Sequence, residues 1–161
     1  MSAAGAFTGT NYALRATPLV ETIPSAKFTG GTVLCMTDEC YATGTNLGAG
    51  STMHVGKLPA GAVVLYSIVY PIDTATYGAP DAMTNAVTGV LGISGDTDLF
   101  GDVAALNATT IQTIVPKPDG TTYTTNLTSA LKADVDVYFT SADAELVATE
   151  GICVKMFYTI A

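Results

Sequence analysis

Apolar and polar residues alternate along much of this chain with a period of two, the repeat of a strand that turns one face to a core and the other to solvent. The clearest stretch is the last, where Ile152, Val154, Met156, Tyr158 and Ile160 alternate strictly and predict a strand over 152–160. Val135, Val137 and Phe139 alternate with Asp134, Asp136 and Tyr138, the pattern of a half-exposed strand. Over 51–58, Met53 and Val55 fall on one side, Thr52 and His54 on the other. Shorter runs at 32–36, 87–94 and 109–115 read as strands set between Gly- and Pro-containing turns. The stretch 41–50, with Gly44, Asn46, Gly48 and Gly50, reads as a loop, and 140–149 as a turn or short excursion.

One segment breaks the alternation. Leu58-Pro59-Ala60-Gly61 forms a tight connection, and 62–70 beyond it is apolar on both faces. An uninterrupted strand there places Val63, Leu65 and Val69 on one side and Val64, Tyr66, Ile68 and Tyr70 on the other. A strand that is apolar on both sides in a small antiparallel sandwich needs a second cover. Either a neighbouring subunit supplies it, or the loop 72–85 of the same chain does.

About eight short strands, Gly/Pro-rich turns and no βαβ alternation predict an all-β fold. The expected architecture is an antiparallel β-sandwich, jelly-roll-like, with an extended N-terminal arm. Residues 101–106 and 129–132 have room for one helical turn each, too little to change the class. Pro18 and Pro24 fix φ and remove backbone donors in a segment with few apolar residues, so 1–27 is expected to be the extended arm. A single β-sandwich domain, 28–161, follows it. The chain has 161 residues, room for one domain of this kind.

Composition sharpens the picture. Hydrophobic residues make up 48% of the chain and charged ones only 12%, so a covered surface, by partners or by further copies, fits as well as a solitary β protein. The net charge is −8, and the basic residues Arg15, Lys27, Lys57, Lys117, Lys132 and Lys155 are scattered. Nucleic acid and anionic membrane surfaces need clustered cations and are therefore excluded as expected partners. No apolar run is long enough for a transmembrane helix, and 1–10 lacks the charged and apolar regions of a signal peptide. Synthesis in a cytoplasm, with Cys35, Cys40 and Cys153 reduced, is the expectation.

Candidate chemistry is sparse. His54 is the single histidine, and a Cys–His pair with Cys35 or Cys40 is the one nucleophilic arrangement the sequence allows. A histidine with a structural place on a sheet face is the expectation, and no catalytic residue is assigned. Asp96, Asp98 and Asp102 in a Gly-flanked loop are candidate Ca²⁺ ligands, although the Gly and terminal Glu of an EF-hand loop are missing. An Asx-type turn, in which Asp96 caps the backbone two residues on, is the expected reading. No cofactor is expected. Tyr66, Tyr70, Tyr77 and Phe100 have the chemistry of a sugar-binding platform, but their place in or beside apolar runs favours core or interface.

Four pieces of the chain, in order and spacing, resemble the head decoration or cement proteins of tailed bacteriophages. Met-His-Val-Gly-Lys-Leu-Pro-Ala-Gly-Ala-Val-Val-Leu (53–65) is similar to that family's apolar–Leu-Pro-x-Gly-Ala-x-Val segment. Val-Leu-Gly-Ile-Ser-Gly-Asp-Thr-Asp-Leu-Phe (90–100) is similar to its strand ending in Gly-Asp-x-Asp. The run 134–139 and the closing strand 151–160 complete the resemblance, which covers about residues 51–160. The resemblance implies a non-enzymatic virion protein, a homo-oligomer expected to be a trimer, bound to the major capsid protein on the outer capsid surface. It brings no catalytic residues with it, and the loops 72–85 and 116–126 look like insertions. Interface candidates are Tyr12, Leu14, Val20 and Ile23 in the arm, and Tyr66, Ile68 and Tyr70 in the sheet. A tail or neck protein, and a carbohydrate- or Ca²⁺-binding module, are the alternative readings.

Overall fold

A computed structural model of the chain describes residues 33–75, 78–116 and 130–160, together with the backbone of Ala6–Thr8. Nearly all of the proposed arm, with Tyr12, Leu14, Val20 and Ile23, lies outside the described residues, as do Tyr77 and most of the loop 116–126. The described residues form nine strands: β1 (Ala6–Thr8), β2 (Leu34–Tyr41), β3 (Thr52–Leu58), β4 (Ala62–Asp73), β5 (Gly89–Ile93), β6 (Asp96–Val103), β7 (Gln112–Ile114), β8 (Val135–Ser141) and β9 (Glu150–Ile160).

They form two sheets, the first in the order β1-β3-β8-β5-β6 and the second in the order β2-β9-β4-β7. Every pairing is antiparallel except that of β1 with β3. The connectivity is that of one long hairpin wrapped on itself. β5 and β6 pair at its tip, and β4 with β7, β3 with β8 and β2 with β9 pair successively outward. Wrapping distributes these pairs over two sheets and adds the contacts of β4 with β9 and β5 with β8. This is the eight-stranded jelly roll, two facing sheets with Greek-key connections.

Local sequence accounts for the elements. Gly61, at φ 86°, allows the turn from β3 into β4, and Asp134 Oδ1 accepts a hydrogen bond from Ala60 N at 2.9 Å across it. The alternation in 152–160 sets β9 at the centre of the second sheet, with Ile152, Val154, Met156 and Tyr158 in the core. Val137 and Phe139 of β8 meet them from the first sheet, together with Met53, Leu58 and Leu91. The core is continuous between the sheets, and Phe139 and Met53 are among its largest fully buried side chains.

Four expectations are corrected here. β2 runs through Asp38 and Glu39 to Tyr41, beyond the 32–36 foreseen, because β9 offers partners along its whole length. Gly95, at φ 92°, does not end the strand pattern but turns the chain back into β6, so 101–103 is strand rather than helical turn. In β3 a bulge between His54 and Gly56 buries His54 as well as Met53 and Val55. β4 is bulged between Val64 and Tyr66, which reverses the phase of its second half. Val64 and Val69 therefore share the core side, whereas Tyr66, Ile68 and Tyr70 face outward.

Candidate functional site

The outward face of the second sheet carries the residues that the doubly apolar segment foretold. Strand register orders them into rows. Cys35 of β2 pairs with Phe157 of β9, which pairs with Tyr66 of β4. Thr37, Lys155, Ile68 and Thr113 form the next row across β2, β9, β4 and β7. Glu39, Cys153 and Tyr70 form the third. Continuing the β4–β7 register by one residue in each direction sets Val115 beside Tyr66 and Ile111 beside Tyr70. Strands lie roughly 4.8 Å apart, so the apolar row Cys35–Phe157–Tyr66–Val115 runs about 14 Å across four strands.

The two ends of this face differ in cover. Around Tyr70, Ile72 and Cys153 the chain supplies its own lid, and all three are buried in a small cluster separate from the main core. Pro71 O accepts from Asp81 N at 2.9 Å, and a hydrogen bond from Gly78 N–H reaches the Tyr41 hydroxyl. The Tyr41 hydroxyl itself donates to Glu39 Oε2 at 3.0 Å. Burial and the Glu39 carboxylate together push the Tyr41 phenol up to about 12. Tyr70, whose hydroxyl bonds Cys153, is raised for the same first reason, desolvation, and the Cys153 thiol is raised by burial as well. The Lys155 ammonium sits 5.5 Å from the centre of the Tyr70 ring. The covering loop of the sequence reading is thus real for this half of the face.

Among the described residues the other half is open. Tyr66 and Phe157 stack with ring centroids 4.5 Å apart and an interplanar angle of 17°, and both are half-buried. Leu65, at the bulge, is 39% exposed, and Val115 is 61% exposed. Of the three sheet candidates, Tyr66 and Ile68 therefore belong to the open half and Tyr70 to the covered one. Phe157, Val115 and Ile111 join them through register alone, which the sequence does not display.

Elsewhere the structure separates what proximity in sequence suggested. Asp96 and Asp98 are hydrogen-bonded neighbours, and the Asp96 carboxyl is held above its ordinary value by burial and by Asp98. Asp102 lies at the far end of β6, roughly 20 Å from Asp96 along an extended strand, opposite Val90. Among the described residues no three of His, Cys, Asp and Glu converge as a metal ion requires. His54 meets β8 rather than a cysteine: Nε2 is 3.4 Å from Asp136 Oδ1, and the ring centroid is 5.0 Å from that of Tyr138. Burial lowers its pKa, and Asp136 opposes that shift. The three cysteines are free, Cys35 exposed and Cys40 and Cys153 buried. Burial, helped by Asp38, pushes the Cys40 thiol up to about 12, which leaves it protonated and unreactive at neutral pH.

No known family model matches the chain, and no curated protein matches it in sequence. Solved structures do match in fold. A chain of the cyanophage Pam1 capsid asymmetric unit superposes with a TM-score of 0.59 at 19% identity, covering 81% of this chain and 86% of that one. A chain of the capsid of Ralstonia phage GP4 gives 0.53 at 19% identity with the same coverages. A chain of the acid-stable capsid of Helicobacter pylori bacteriophage KHP30 gives 0.51 at 13% identity, covering 79% and 86%. The likeness is one of fold, and it spans most of both partners in each comparison.

Proposed function

We propose that this chain is a non-enzymatic virion structural protein of a bacteriophage, a decoration or cement protein that binds the outer capsid lattice and stabilises major capsid subunits. The observation that carries the reading is the extent of the fold likeness. Three capsid structures contain a chain whose fold matches over 79–81% of this chain and 86% of their own. Four sequence segments resembling decoration proteins point the same way. The charge agrees: at −8 the protein is repelled by packaged nucleic acid and suits the outside of the shell. The assembly is a homo-oligomer, a trimer by the family resemblance, with the apolar residues of 1–27 (Tyr12, Leu14, Val20, Ile23) reaching neighbouring subunits.

Immunogold labelling of intact particles of the phage that encodes the chain tests this directly. Label distributed over the head is the expected result. Label on the tail or neck would transfer the chain to that structure, and particles without label would overturn a virion role.

A further inference from the structure

We infer that the open half of the second sheet's outer face is where a second copy of this chain packs. The inference rests on the proposed role only in so far as a shell holds copies close together; its physical basis is the distribution of charge and apolar surface over the fold.

The large hydrophobic side chains that stand exposed among the described residues are Val33, Leu65, Ile111 and Val115. Val33 immediately precedes β2, Leu65 lies in β4, and Ile111 and Val115 flank β7. All four thus belong to the second sheet. Val115 ends the apolar row built on the Tyr66–Phe157 stack and Leu65 adjoins it at the bulge, while Val33 lies one row beyond it and Ile111 in the row of Tyr70. Apolar surface gathered on one side of a sandwich, with no large hydrophobic exposed on the other among the described residues, marks an interface rather than scattered exposure.

Charge selects the occupant. Each copy carries −8, so two copies repel unless they meet through a neutral surface. The strands of the first sheet carry Asp96, Asp98, Asp102 and Asp136 against the single cation Lys57. The outward positions of the second sheet carry only Glu39 and Lys155, which cancel. Contact through the open half, which adds only Lys155 because Glu39 lies at the covered end, therefore keeps the aspartates of the two first sheets apart. A basic partner would gain more from the acidic first sheet, and a sugar would not need so wide an apolar row.

The test is light scattering of the isolated chain across a dilution series, with Leu65→Asp and Val115→Asp in parallel and Thr97→Lys, on exposed β6, as the control. The wild type and the control are expected as oligomers and both aspartate variants at the mass of one chain, all with the same circular dichroism. Alkylation of Cys35 by N-ethylmaleimide gives a second readout, since Cys35 ends the row. Its rate should rise several-fold on dilution of the wild type and stay at the higher value in the aspartate variants. A wild type that is monomeric at every concentration, or an oligomer that survives both aspartates with Cys35 equally reactive throughout, overturns the inference. A protein that decorates heads yet stays monomeric refutes this contact and the homo-oligomer proposed above, and leaves the decoration role standing.

Discussion

Ser67 points inward from β4 beside Met156, fully buried, and its Oγ has no hydrogen-bond partner among the described residues. A hydroxyl taken out of water without a new partner costs about 1–3 kcal/mol, so a methyl in its place is the better occupant. Ser67→Ala is expected to stabilise the fold by about 1 kcal/mol, read as a rise in the urea midpoint at unchanged slope. A lowered midpoint would mean that the hydroxyl is satisfied in solution. His54 makes the opposite argument through pH. Its folded pKa lies below the ordinary value of 6.5, chiefly because it is buried, with Asp136 and Asp38 opposing. Tyr138 packs on its ring from β8. Between the ordinary and the folded pKa the unfolded chain binds the proton and the folded chain does not, so stability falls as pH drops below about 6.5. His54→Gln removes that component. Going from pH 7.5 to 5.5, the wild type should lose more stability to urea than the variant; equal losses would show that Asp136 compensates fully for burial.

At the scale of elements, the β5–β6 hairpin depends on backbone proximity that only glycine permits at one point. A Cβ at Gly92 collides with the backbone of Asp96 and Thr97, whereas one at Gly95 meets open space and is opposed only by φ 92°. Gly92→Ala should therefore cost about 2–3 kcal/mol and Gly95→Ala about 1 kcal/mol, measured by urea unfolding. The reverse order would mean that the hairpin widens without penalty. This hairpin is also where the sequence was least legible. Among the described residues β6 has no partner beyond β5, and it carries Asp96, Asp98 and Asp102, the charges with which an edge strand resists pairing with other chains, so it reads as a loop. β8 and β9 were legible because each shows one apolar face to the core and breaks its alternation nowhere. β4 was legible as a strand but not in its facing, since a one-residue bulge alters burial without altering composition. For the same reason Tyr66 and Ile68 were found as apolar excess, while Phe157 became part of the face only through a partner more than 80 residues distant in the chain.

For the whole molecule, the two sheets have different surfaces. One is edged with aspartates, and the other gathers the exposed aliphatic residues around a stacked aromatic pair. That polarity gives a small sandwich a defined orientation among copies of itself without any ligand. The nested pairing has a mechanical consequence of its own. Leu34 at the start of β2 lies opposite Tyr158 near the end of β9, so the chain enters and leaves the pair on the same side. Tension applied through the segments before Leu34 and after Ile160 would fall on the first cross-strand bond, then the next, peeling the strands apart instead of shearing all of their bonds at once. The sandwich would thus yield to a pull on its two ends far more readily than to compression across its sheets, where the whole core bears the load together.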